Sequence, residues 1–247
     1  MKSAVEKSGT FWEHLDELRI CLFRIAIAIV GLGILTFFFK EELFQIALAP
    51  KSSEFITYRL FHVSFFDIHL MNIGLTEQFM IHLKTSLYVG LLLASPYMLY
   101  QVFRFVSPAL YSNERRYAIW IVGSAYIMFM FGNLLNYFLI FPFTLKFLGT
   151  YQVSNDVANM LTLQSYMDSF FILSLTIGIV FELPVVSWIL GKMGLINKQM
   201  MRQYRRYAIV LIMIVAAIIT PTTDAFTLLI VSIPIWLLYE LSVLIVR

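Results

Sequence analysis

The chain has 247 residues, 60% of them hydrophobic and 13% charged, with a mean hydropathy of +0.81 and a formal net charge of +3. A water-soluble domain of this size carries about 25% charged residues, so this chain cannot cover its apolar surface by folding in water. Its solvent is a bilayer. The small net charge gives no footing for nucleic acid, and the single Cys21 excludes an intrachain disulfide.

In chain order, Phe11 to Arg19 comes first. It places Phe11, Trp12, Leu15 and Leu18 on one helical face and Glu13, Asp16 and Glu17 on a neighbouring one. Two readings stay open here: an interfacial helix with a solvated acidic side, or an acidic surface suited to cationic ligands. A first span is predicted over 20–39, interrupted only by Arg24. Acids precede it and no small-residue cleavage site follows, so it is expected to be a retained helix rather than a signal peptide. The loop 40–74 carries Phe55, Phe61, Phe65, Phe66 and Ile68, which predicts a packed cap of short helices.

The second span is predicted over 77–103. Glu77 and Lys84 share its face, and structural partners on other helices are expected for both. In the connector that follows, Phe105 and Pro108 predict a rigid aromatic turn, and Ser112 is expected to cap the third helix. That puts Glu114 in its first turn, where the helix dipole favours a carboxylate by roughly 0.3–1 kcal/mol. The third span, 115–148, is longer than a bilayer requires, so it should tilt or project, with a bend at Pro142. The next loop ends at Thr162 or Ser165, an expected helix N-cap with Asp168 downstream. The fourth span, 165–190, carries Glu182. The fifth, 201–219, reaches spanning length only with its basic flank. Asp224 is expected to cap the sixth, 225–245, across a tight turn.

Six apolar helices define an all-α integral membrane protein in a single domain, 1–247, because lipid tolerates no open sheet edge. Lys and Arg placement orients it. Thirteen basic residues fall on the side of the N-terminus, the second and fourth connectors and the C-terminus, against four on the other. Both termini are therefore expected in the cytoplasm, with the chain in a bacterial inner membrane or the membrane of an organelle that encodes it.

Glu182 is the costliest residue. It lies ten residues before Lys192, about 15 Å deep at 1.5 Å per residue, where an ionised acid costs at least about 2.5–3.5 kcal/mol. It is expected to be neutral, or to face protein or a watery recess, with Pro184 freeing a backbone carbonyl nearby. His62, His69 and His82 have no metal-ligand spacing, no cofactor motif is present, and no nucleophile–base set or catalytic carboxylate pair marks an enzyme. A solute permease would need a continuous polar route, whereas the acids here gather near one surface. A plain structural scaffold would leave Glu17 and Glu114 dispensable.

The motifs His14-Leu15-Asp16-Glu17-Leu18-Arg19, Ala49-Pro50, Leu99-Tyr100-Gln101-Val102, Phe105, Pro108-Ala109-Leu110-Tyr111, Glu114-Arg115-Arg116, Phe181-Glu182-Leu183-Pro184-Val185, Ile219-Thr220-Pro221 with Asp224, and Ile233-Pro234 through Tyr239-Glu240 occur in this order. Together they resemble the TatC family, multispanning receptors of twin-arginine protein translocation. The resemblance implies a curved, glove-like six-helix fold. It also implies recognition of a signal with two adjacent arginines by the positions of Glu17 and Glu114, helped by His14, Arg19, Phe105, Arg115 and Arg116. Glu182 resembles the family's intramembrane partner-contact glutamate, and Pro50, Pro108 and Asp224 match its structural positions. The implied partners are single-span TatA-type subunits, with or without TatB, in an oligomeric complex embedded in lipid and driven by the proton-motive force. Leu228 stands where many relatives carry glutamine, and Thr222-Thr223 lengthens the turn before Asp224.

Overall fold

The computed structural model describes residues 11–63, 65–66, 68–106, 118–152, 154, 160–220 and 224–246. They form α1 (Phe11–Phe37), α2 (Lys40–Leu48), α3 (Ile56–Leu60), β1 (Leu70–Met71), α4 (Glu77–Val106) and α5 (Ala118–Leu135). A π-helical turn (Asn136–Ile140) leads into α6 (Phe141–Thr150), followed by β2 (Leu161–Thr162), α7 (Leu163–Val180), α8 (Leu183–Lys192), α9 (Lys198–Gln203), α10 (Arg205–Ile219) and α11 (Ala225–Ile245). The only strands among the described residues form a two-residue parallel ladder, Leu70 beside Leu161 and Met71 beside Thr162, which fastens the two long loops together.

Among the described residues, five stretches are long and apolar enough to cross a bilayer: His14–Phe37, Glu77–Val106, Ile119–Thr150, Leu163–Lys192 and Ala225–Ile245. The fifth predicted span is shorter than expected. The helix breaks at Tyr204, so α10 has 15 residues, about 22 Å, and its basic flank Lys198–Gln203 forms a separate turn.

The helices α1 and α4 run antiparallel in close contact, with His14 beside Phe105 at one end and Phe37 stacked on His82 at the other. Two glycines let the backbones meet. A Cβ on Gly90 would lie 2.6 Å from Gly33 N and 2.8 Å from Ile29 O, which is the small-residue contact that bilayer helices use in place of a hydrophobic driving force. Across the same contact the Thr36 hydroxyl donates to Ser86 O at 2.8 Å. A second close crossing joins α5 to the α7–α8 segment, where Gly132 abuts the Phe181 ring and Gly178 abuts Phe129 and Asn133.

Prolines inside the spans leave carbonyls without their helical donor, and neighbouring hydroxyls supply one. Pro96 cannot donate to Leu92 O, and Ser95 Oγ does so at 2.7 Å. Pro142 cannot donate to Phe138 O, and Thr57 of the loop cap does. The irregularity predicted at Pro142 therefore falls in the turn before it, as the π-helical segment.

The loop 40–74 is packed, as its aromatic content predicts. Tyr58 is 1% exposed, and its hydroxyl donates to Pro50 O at 3.0 Å and Pro142 O at 2.8 Å. Burial pushes this phenol well above its usual range, so it stays a donor. Tyr166 donates to Ala47 O at 2.9 Å and Tyr137 to Ile46 O at 2.8 Å. Phe55 stacks on Phe138, while Phe65 remains exposed. The main core, with Tyr58, Ile81, Phe141, Tyr166, Leu173 and Ile235 among its members, lies beneath this cap. The opposite end, where His14, Arg104, Lys192 and Arg205 gather, is termed the basic end.

Candidate functional site

Glu17, Cys21 and Arg24 follow one another at i, i+4 and i+7 along one face of α1. Gln101, Arg104 and Phe105 share the facing side of the last turns of α4. The antiparallel pairing brings the two triplets together around a recess of about 390 Å³ at the basic end, lined also by Ile20. His14 stands one turn before Glu17, its Nδ1 3.7 Å from Glu17 Oε2, and its ring stacks on Phe105 with centroids 4.4 Å apart. Phe105 therefore orients the imidazole that flanks the carboxylate. The Glu17 side chain is 66% exposed and that of His14 55%, so both groups face outward.

A second recess, of about 400 Å³, continues along the same helix pair. Ile27, Ala28, Leu32, Leu93, Ala94 and Tyr97 line it, and Arg24 belongs to both recesses. Gln101 of the first donates to the Tyr97 hydroxyl of the second at 2.6 Å. A charged and aromatic mouth thus runs into a largely apolar groove.

Of the residues singled out in the sequence, His14, Glu17 and Phe105 converge. Arg19 does not join the recess; its guanidinium lies 5.7 Å from the Phe23 ring centre. Pro108, Glu114, Arg115 and Arg116 lie outside the described residues, as does the expected cap Ser112. Pro50 is buried beneath the loop cap as an acceptor for Tyr58. Asp224 caps α11, its Oδ1 accepting from Thr227 N at 2.7 Å. Thr162, not Ser165, caps α7, accepting from Ser165 N at 3.1 Å.

Glu182 sits at the break between α7 and α8, and its Oε1 is buried with no hydrogen-bond partner among the described residues. Directly after it, Pro184 and Val185 contribute to an apolar groove of about 470 Å³ shared with Trp120, Met128, Trp188 and Leu241. The expected structural partners of Lys84 and Glu77 are found on α7. Lys84 pairs with Asp168 at 2.7 Å, and the Glu77 carboxylate accepts from Gly74 N and from Gln164 N at the start of α7.

Three polar features escaped the sequence reading. Arg24 and Arg104 were counted only as topology signals, yet both line the mouth with Glu17. Arg205 donates to Glu240 at 2.6 Å, joining α10 to α11. Inside the bundle, Tyr88 donates to Asn133 at 2.6 Å and Asn136 donates to Ser174 at 2.7 Å. Two amides three residues apart within an uncharged apolar run were the available signal, and a search confined to charges passes over them.

Residues 13–234 match the family model described as Sec-independent protein translocase protein (TatC). The chain belongs to the TatC family. It is 35% identical to the Sec-independent protein translocase protein TatC of Koribacter versatilis over 238 residues, covering 96% of this chain and 84% of that relative. It is 36% identical to the Aquifex aeolicus TatC over 233 residues, covering 94% and 92%. The fold is similar to a crystal structure of the twin-arginine translocase receptor TatC, with a TM-score of 0.78 at 35% identity over 94% of this chain and 97% of that one. A second TatC crystal structure, in the detergent DDM, gives 0.80 at 34% identity over 95% and 100%. Like the TatC proteins it matches, this is a multi-pass component of a protein translocase, and that family is not one of catalysts.

Proposed function

We propose that this chain is the receptor subunit of a twin-arginine translocase in a bacterial cytoplasmic membrane, with both termini in the cytoplasm. On this reading its basic end binds the paired arginines of signal peptides on folded cargo. The observation that carries it is the convergence of Glu17, His14 and Phe105 on a recess that opens into an apolar groove. A guanidinium forms charge-assisted, bidentate bonds to a carboxylate that an ammonium cannot match geometrically. A leader carrying two arginines ahead of an apolar segment fits such a mouth and groove in that order.

Charge bookkeeping within the recess makes Glu114 essential to the reading. Glu17 shares its recess with Arg24 and Arg104, so a second acid beside it favours the arrival of a pair of arginines. Glu114, with Arg115 and Arg116 beside it, supplies that acid from the connector. Arg19, turned toward Phe23, serves the helix surface and not the ligand. Single-span TatA-type subunits, with or without TatB, dock along the groove of Trp120, Pro184 and Trp188 next to Glu182, whose unpartnered oxygen seeks a donor on the arriving helix. The proton-motive force drives the transport step.

The deciding experiment replaces both acids. Glu17→Ala combined with Glu114→Ala is expected to abolish export of a folded twin-arginine reporter while the amount of membrane-inserted protein stays unchanged. Normal export by that variant overturns the assignment, as does equal cross-linking of twin-arginine and twin-lysine leaders to residues 11–19.

A further inference from the structure

The guanidinium of Arg24 stands ten residues inside the His14–Phe37 span, where a cation is costly. Arg24 makes no hydrogen bond or ion pair among the described residues, is exposed, and lines both the mouth containing Glu17 and the apolar groove beyond it. The Gln101–Tyr97 hydrogen bond crosses the same junction on α4. Any ligand that passes from one recess to the other passes this charge.

We propose that Arg24 is a specificity-determining residue that fixes the register of the leader and rejects a positive charge at the point where its apolar segment begins. This rests on the receptor reading above and extends it from the two arginines to the residues that follow them. Glu17 attracts guanidinium groups at the mouth, and seven residues further Arg24 repels them. Two helical turns separate the two, about 10 Å along α1. A leader held with its arginines at Glu17 therefore presents to Arg24 the third residue beyond the pair if it is extended, at about 3.3–3.6 Å per residue. If it is helical, it presents the seventh. A neutral side chain passes there, and a backbone carbonyl or an acidic side chain accepts from the guanidinium. A misregistered leader places a cation against Arg24 and is discriminated against by like-charge repulsion. A cation shared by both recesses thus reads the order of charges as well as their number.

The test uses the full chain in nanodiscs, reconstituted with whatever companion subunits binding requires, and fluorescent leader peptides. Lysine is placed in turn at each of the eight positions after the arginine pair. Affinity is then measured for the parent protein, Arg24→Gln and Arg24→Glu. At one position the penalty for lysine is expected to fall by about tenfold in Arg24→Glu, with Arg24→Gln intermediate. Glutamate at that position should show the opposite dependence, and the position itself reports whether the leader is extended or helical. Such charge-swap coupling is a pairwise quantity that a general effect on the groove does not produce. The proposal is overturned if no position couples to residue 24. It is equally overturned if the variants shift all leaders alike in proportion to the anionic lipid content, since Arg24 is then anchoring on lipid phosphate. Arg24→Gln, which only removes a charge from a span, preserves the test if Arg24→Glu fails to insert. If twin-arginine and twin-lysine leaders bind the parent protein equally, the receptor reading itself fails and takes this inference with it. Arginine selectivity without residue-24 coupling fails this inference alone.

Discussion

At the cap end, polar side chains are committed to the protein's own backbone. Tyr58, Tyr137 and Tyr166 donate to carbonyls of neighbouring elements, Thr57 covers the carbonyl exposed by Pro142, and Glu77 gathers backbone N–H groups from its own loop and from α7. At the basic end, the mouth of α1 and α4 is built differently. Glu17 and His14 are more than half exposed, the recess between the helices is open, and a small cluster of Met201, Val243 and Val246 is buried at that end. One end has its hydrogen bonds made and its core filled, as a scaffold requires. The other keeps charged groups unsatisfied by backbone and facing outward, as a receptor requires. Changes at the cap end should therefore lower stability and leave leader affinity to the surviving protein alone, and changes at the mouth should do the reverse.

The helix pair that carries the mouth is itself the place where the division can be broken most severely. Gly90→Leu forces a side chain into the Gly33 backbone, where no rotamer can relieve a Cβ at 2.6 Å. Overpacking of this kind typically costs 1–3 kcal/mol, about the upper end when backbone and not a side chain blocks the way. The expected result is loss of folded, protease-resistant protein from the membrane, with scaffold and receptor lost together; wild-type accumulation would mean that α1 and α4 are not joined at this crossing. Next in size, Tyr58→Phe removes the donor from two carbonyls at a buried site, at a cost of about 1–3 kcal/mol. Its thermal midpoint in detergent should fall clearly, while the leader affinity of the folded fraction stays unchanged.

The same contrast explains what could be read from the sequence. Five of the six spans were legible because apolar length is a local property, and the packed loop was legible because Phe55, Phe66 and Ile68 have no reason to cluster in a solvated one. Asp224 as a cap was legible because capping needs only its own next turn. The pairing of Lys84 with Asp168, the Thr57 bond to Phe138 O and the Gly33–Gly90 contact were not, because each joins residues separated by at least 57 positions, and nothing local to either partner names the other. The mouth lies between these cases. Family resemblance gave His14, Glu17 and Phe105 their expected role, but the placement of Arg24 and Arg104 in the same recess follows only from the antiparallel register of α1 and α4. Arg19, assigned to signal recognition by the resemblance, and Arg24, counted only for topology, lie five residues apart, and the helix turns them to different surroundings.

At the mouth, Phe105→Ala removes the ring that holds His14 beside Glu17. A stacked aromatic pair is worth about 0.5–1.5 kcal/mol, so leader affinity should weaken by roughly two- to tenfold with the thermal midpoint unmoved. Phe105→Trp, which keeps a stacking face, should recover most of the loss. A lowered midpoint with unchanged affinity would place Phe105 with the scaffold residues and blur the division between the ends.

The smallest effect is expected at a charged pair near the cap end of the spans. Lys84 and Asp168 lie 2.7 Å apart with side chains 47% and 35% exposed, and a pair so accessible contributes about 0–1 kcal/mol. Reversing either charge alone, by Lys84→Asp or Asp168→Lys, sets like charges against each other between α4 and α7. Each single reversal should therefore lower the thermal midpoint slightly. The double swap restores attraction and should recover most of the loss, with the coupling read from the four midpoints. Leader affinity should stay flat across all four proteins, because the pair lies near the start of α7 and not at the mouth of α4. A swap that recovers nothing would show that the carboxylate is needed on α7 itself, where it also shares its surroundings with Glu77, and not for its pairing with Lys84.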